Sequence, residues 1–219
     1  MINHEKILEL LNHRHACKEF NPQQKISESD MKMILTAGQL SPSSLGMEPW
    51  KFLVIENSDL IKELVPVTPG GMKQLETCSH LVIVLSRKPQ DLKHDSKYLD
   101  HLVHDVKQFP EEAAEKYKNT VALIERNRFN HNDKAILGYS TSQAYLAIAN
   151  MALVGAMVGV DSCPIGAFNG KAVCDILLEH NLLDADHFTL TLMLAFGYRA
   201  KDITPKKRQS FEEVISWVK

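Results

Sequence analysis

Arg14-His15-Ala16-Cys17-Lys18 gathers three potentially cationic donors within five residues at the close of a helical pattern, with Phe20 as an apolar anchor just beyond. A phosphate-like anion suits that grouping, because Arg offers a planar fork of N–H donors and Lys a compact charge. The same residues could instead complement the negative carboxyl end of the helix they follow. Ser41-Pro42-Ser43-Ser44 offers hydroxyls and turn amides to a ligand's polar edge, or is an ordinary turn. Pro164-Ile165-Gly166-Ala167-Phe168 is a third candidate, since Gly166 would let backbone approach a planar ligand closely; it too could be a plain loop. Pro205-Lys206-Lys207-Arg208 reads in isolation as a solvated basic run. None of the four decides a function alone.

Other chemistries find little footing. His101 and His104 lie three apart on a helical segment, but no HExxH carboxylate accompanies them, and they read as surface histidines. Cys17, Cys78, Cys163 and Cys174 form neither a CxxC pair nor a zinc-ligand spacing, which suggests reduced thiols in a cytoplasmic protein, with Cys163 a small buried filler. No serine or cysteine sits in a GxSxG context, and the GxGxxG and GxxxxGK[ST] phosphate loops are missing. A net charge of −2 with both signs intermixed offers no field for nucleic acid or an anionic membrane.

The elements that must position these residues follow from hydrophobic rhythm. His4–Asn12 reads as a helix, and the pattern from Met1 to Leu11 lacks the apolar core and cleavage site of a signal peptide. Ser27-Glu28-Ser29-Asp30 resembles a capping box opening a helix through Leu40, which Pro42 stops. Trp50–Glu56, His80–Ser86 and Phe188–Tyr198 read as buried strands. Asp95–Gln108 and Glu111–Arg128 read as charged helices split by Pro110, the material of a lid over residues 95–131. Tyr139–Val160 is a long helix with small residues around most of its girth, predicting close packing on every side. Its stretch Ser142–Val160 approaches membrane length, but Gln143, Asn150 and the lack of basic flanks favour a buried soluble helix. Lys171–Glu179 forms another helix, and Glu212–Lys219 reads as a docked apolar tail. Three or four strands among many helices, without strict βαβ alternation, predict one α+β domain over 1–219 with an antiparallel or mixed sheet.

In this order and spacing the four segments resemble the nitroreductase family of FMN oxidoreductases, whose motifs run as RHSxK, PSSxNxQPW, a PIxGF-like loop and PKxR. Here they stand as Arg14 to Lys18, Pro42 to Trp50, Pro164 to Phe168 and Pro205 to Arg208, and Ser79 to Val84 looks like the family's ASHxxV strand. The resemblance implies a nitroreductase-like fold, a central mostly antiparallel sheet flanked by helices, in an entwined homodimer with FMN at the subunit interface. It implies contacts from Arg14, His15 and the Ala16 backbone, with Lys18 as electrostatic support at the ring's polar edge. Lys206 and Arg208 would complete the phosphate cradle, while Pro42, Ser43 and Ser44 would reach in from the second subunit. Gln143 matches a family glutamine near the cofactor, and Pro164, Ile165 and Gly166 would lie against the ring. Three departures stand out: Ala16 replaces a serine, Ala167 replaces a second glycine, and the asparagine before the second strand has no clear counterpart, Gln74 being the substitute. The implied activity is hydride transfer from NAD(P)H to small aromatic acceptors such as nitroaromatics, quinones or flavins in a ping-pong cycle, with no protein nucleophile or general base. Tyr117 and Phe129 read as packing residues, with a role as lid aromatics the alternative. A flavin-binding sensor or store with little turnover is the alternative.

Overall fold

The computed structural model describes residues 3–219. In chain order it comprises α1 (His4–His13), α2 (Glu28–Gln39), β1 (Trp50–Ile55), α3 (Ser58–Leu64), α4 (Met72–Thr77), β2 (His80–Arg87), α5 (Lys97–His101), α6 (Glu111–Asn127), α7 (Asp133–Met157), β3 (Asp161–Ile165), α8 (Gly170–Glu179), β4 (Phe188–Gly197) and α9 (Phe211–Val214). The strands make one sheet in the order β1-β2-β4-β3, every neighbouring pair antiparallel.

The two central strands explain why their sequences lack alternation. Leu81, Ile83 and Leu85 of β2 and Met193 and Ala195 of β4 face one apolar layer, completed by α3, α4 and α8. Val82, Val84, Leu192, Leu194 and Phe196 face a second, formed with α2 and α7. A strand covered on both faces must be apolar throughout. The α2 start is also as read: Ser27 Oγ accepts from the Asp30 amide at 3.1 Å, although the Asp30 carboxylate takes the Ser27 hydroxyl rather than closing a full capping box.

Several expectations need correction. Pro164 and Ile165 are not simply loop but end an edge strand, β3, where Pro costs no outward ladder bond. The helix expected over Asp95–Gln108 is α5 followed by one wider π turn, Leu102–Val106. The long helix α7 starts at Asp133, where the Asn132 side chain caps two amides. It is packed on one side only: Ala144, Ala147, Met151 and Gly155 are buried, whereas Tyr145, Leu146 and Met157 are exposed. The C-terminal tail does not dock on its own chain. Beyond the four-residue α9, Trp217 is 79% and Val218 96% exposed, because no apolar surface among the described residues covers them. Met1 and Ile2 of the N-terminal pattern lie outside the described residues.

One packing detail bears on the Ala167 departure. A Cβ on Gly70 would come 2.4 Å from the Ala167 Cβ, and the Gly70 amide donates to Ala167 O at 2.9 Å. The missing Cβ at 70 therefore makes room for the extra methyl at 167. Gly70→Ala is expected to push the 165–167 loop aside and lower stability by about 1–3 kcal/mol, the usual cost of overpacking, read as a reduced melting temperature. Removing the 167 methyl as well should recover only part of it, because the added Cβ would still stand 2.9 Å from the backbone oxygen of residue 167.

Candidate functional site

The cationic segment leaves α1 in extended conformation at Arg14 and runs beside the open edge of β3. Ala16 pairs with Ser162 across a parallel bridge. The second cationic segment follows β4. An anchor under both is the Asp161–Arg199 ion pair: the Arg199 Nε donates to Asp161 Oδ2 at 2.9 Å, and its Nη2 also reaches His13 O at 3.2 Å. His15 braces the segments directly, with Nε2 2.9 Å from Thr204 O and Nδ1 3.1 Å from His13 O. These contacts close a groove of about 510 Å³ lined by Arg14, His15, Ala16, Pro164 and residues 204–208. Thus the structure joins the first and last cationic segments across nearly the whole chain.

The groove is electrostatically unsatisfied. Among the described residues no acidic side chain pairs with Arg14, Lys18, Lys206 or Arg208. Burial, then the neighbouring Arg14 and Arg208 charges, pushes the Lys206 ammonium below its ordinary pKa. Like charges held together without a counterion are what a bound anion relieves. The simpler reading, as complements to the helix end, holds for His15, whose Nδ1 meets His13 O, but no side-chain bond of that kind forms from Arg14 among the described residues. The α1 carbonyls of Leu11 and His13 are also taken by Lys206 and Arg199.

Neither Gln74 nor Lys18 lines this groove, but both lie near Cys163, the neighbour of Pro164: Gln74 is buried with its Nε2 3.6 Å from Cys163 Sγ, and exposed Lys18 is near enough for its charge to act on that thiol. Pro164 and Gly166 are exposed and Ile165 is buried between them. Nothing inside the chain demands glycine at 166. Its φ is not left-handed, and an added Cβ would meet only Leu192 Cδ1 at an ordinary 3.6 Å. The absence of a side chain there suits a flat ligand lying on the backbone. Gly166→Val is accordingly expected to leave the stability of the ligand-free protein within about 0.5 kcal/mol of wild type, as at other exposed positions, while abolishing binding of a flat ligand. Calorimetry and a binding titration separate the two effects.

Pro42, Ser43 and Ser44 do not join this groove. They precede β1 at the opposite edge of the sheet, about 14 Å from β3 at ordinary strand spacing. Gln143 belongs with them, its Oε1 accepting from the Ser44 amide at 2.9 Å. The turn is strained, with Leu45 and Glu48 both at left-handed φ (56° and 49°), and it is held from several sides. Ser43 Oγ accepts from the Glu48 amide at 2.9 Å. Tyr98 donates to Met47 O at 2.7 Å and Tyr117 to Leu45 O at 2.9 Å, so the helices expected as a lid brace this loop. Phe129 packs against Tyr139. Sequence reasoning missed the Asp161–Arg199 anchor and Tyr98. An Asp at the start of a strand and an Arg just after another gave no local signal.

Among the described residues, no cluster of three or more His, Cys, Asp or Glu could hold a metal ion, and no helix is long and apolar enough to cross a membrane.

The molecule is thus an α+β protein with an unneutralised cationic groove at one sheet edge and a braced, strained serine loop at the other. The model of the nitroreductase family matches residues 11–198, and the chain belongs to that family. A Staphylococcus haemolyticus protein provisionally named an NAD(P)H nitroreductase is 43% identical over 98% of both chains. The Bacillus subtilis protein YfkO, named in the same way, is 41% identical over 97% of each. The fold is the nitroreductase fold. A provisionally named nitroreductase from Exiguobacterium sibiricum, solved in complex with FMN, superposes with a TM-score of 0.77 at 22% identity, covering 100% of this chain and 98% of that one.

Proposed function

We propose that the protein is an FMN-dependent oxidoreductase that takes electrons from NAD(P)H and passes them to small electron-poor aromatic acceptors, working as a homodimer in the cytoplasm. The observation that carries this reading is the groove in which Arg14, Lys206 and Arg208 converge with no acidic partner beside a loop left bare at Gly166. Those features fit a phosphate at one end of a ligand and a flat ring at the other. The family relatives named for NAD(P)H and the FMN complex on the same fold support the choice of cofactor and donor.

FMN, when bound, would supply the two-electron chemistry between NAD(P)H and the acceptor. The chain's own residues hold and bias it. Arg14, Lys206 and Arg208 grip the phosphate, and His15 and the Ala16 backbone keep the two cationic segments at their spacing. Lys18 sets positive charge at the ring's polar edge, favouring the form that carries extra negative charge. Gln74 would stand beside the site next to Cys163, and Pro164, Ile165 and Gly166 would face the ring.

The outward apolar residues Tyr145, Leu146 and Met157 of α7, with Leu8 and Leu11 of α1, support burial against a second copy. In that arrangement Pro42, Ser43, Ser44 and Gln143 of one subunit complete the groove of the other. Residues 95–131, fastened to the serine loop through Tyr98 and Tyr117, then roof the partner's site within a single domain spanning 1–219.

The test is direct. Purified protein should be yellow or become so with FMN, bleach anaerobically on addition of NADH or NADPH, and regain its colour with a quinone or nitrofuran. Bound flavin that neither nucleotide reduces would instead identify a sensor or store. A protein that takes up no FMN overturns the proposal.

A further inference from the structure

Besides the groove, the parallel bridge between Ala16 and Ser162 organises a second piece of chemistry. One residue along, the Cys17 amide donates to Ser162 O at 3.0 Å, and the register sets Cys17 beside Cys163. Paired residues on neighbouring parallel strands point to the same face with their Cα atoms about 5 Å apart, inside the roughly 4.4–6.8 Å span of disulfides. Both side chains do enter the same apolar layer, Cys17 at 8% and Cys163 at 1% exposure. Cys78 and Cys174 touch that layer too, but they lie on α4's cap and on α8, where no strand register pairs them.

Access differs between the two. Cys17 lines an open groove of about 450 Å³ with Lys18, Glu19, Asp161 and Arg199, whereas Cys163 sits behind it against Gln74. Burial pushes both thiols above their ordinary range, while Arg199 beside Cys17 and Lys18 near Cys163 act in the opposite direction.

We propose that Cys17 and Cys163 are a peroxide-reactive pair that closes into a reversible disulfide, stapling the cationic segment to β3. The Cys17 thiolate attacks one oxygen of hydrogen peroxide; the O–O bond breaks, Cys17 becomes a sulfenic acid and the first water leaves. The Cys163 thiolate then attacks the Cys17 sulfur, forming the S–S bond and expelling the hydroxyl as a second water. Two thiols and one peroxide give one disulfide and two waters, so the pair supplies both electrons. Closing the bond holds residues 14–18 against 163–166 and links positions far apart in sequence, which restricts the unfolded chain.

The bond itself does not depend on flavin binding, and peptide mapping reads it alone. Trypsin releases Cys17 in the peptide His15–Lys18 and Cys163 in Ala135–Lys171, each separate from Cys78 and Cys174. After treatment of the full chain with hydrogen peroxide and alkylation, these two peptides should appear as one species two hydrogens lighter than their sum. Dithiothreitol should split it, and the oxidised protein should melt several degrees higher than the reduced one. In Cys163→Ser the sulfenic acid should persist on Cys17 and be trapped by dimedone. If both thiols of oxidised wild type remain alkylatable, or if oxidation falls on Cys174 alone, the pairing is wrong; that result needs no variant to fold.

Discussion

Arg14→Ala combined with Arg208→Ala is expected to yield colourless protein that no longer retains FMN through dialysis. Each guanidinium would supply a charge-assisted contact to the phosphate worth about 1.5–3 kcal/mol. Losing both weakens binding roughly 100- to 10,000-fold, with some departure from additivity because they share one anion. The loss should not come from unfolding. Neither side chain has an acidic partner among the described residues, and removing them relieves the repulsion that adds to burial in lowering the Lys206 pKa. The flavin-free double variant should therefore melt at or above the temperature of flavin-free wild type. Fluorescence titration with FMN and calorimetry without it are the two measurements. A double variant that keeps its flavin would show that the phosphate lies elsewhere.

Mixing two disabled subunits is expected to restore activity that neither has alone. One carries the double arginine change; the other carries Ser44→Trp, which fills the space before β1 at a position whose hydroxyl makes no hydrogen bond among the described residues. If each groove is completed by the partner's serine loop, a mixed dimer holds one site with both defects and one with none. Differently tagged, co-expressed subunits purified as the mixed species should bind about one flavin per dimer and reduce a quinone, the defects having been segregated by symmetry. If instead each chain builds its own site, every site in the mixed dimer is broken and no flavin is taken up. The same experiment asks whether the exposed side of α7 is covered by another copy, since without a dimer there is nothing to mix.

How much of this was legible beforehand depended on where the information lies. The central strands were readable because burial on both faces leaves a continuous apolar signature, as in His80–Ser86. The edge strand β3 was not. Its Asp161-Ser162-Cys163-Pro164-Ile165 looks nothing like a strand and is held by β4 on one side and the cationic segment on the other. The cationic types were visible at 14–18 and 206–208, but their convergence rests on the Asp161–Arg199 pair and the His15–Thr204 contact, both between residues remote in sequence. The tail misled for a related reason. Val214, Ile215, Trp217 and Val218 announce a buried surface, and a sequence does not say which chain buries it.

The contact between Gly70 and Ala167 also ties two loops into one mechanical unit. A Cβ at 70 would stand 2.4 Å from the Ala167 Cβ and 2.9 Å from the Ala167 carbonyl oxygen that the Gly70 amide already holds. The junction has no slack, so a displacement of the turn at 68–71 is transmitted to the segment at 165–167 through one missing carbon.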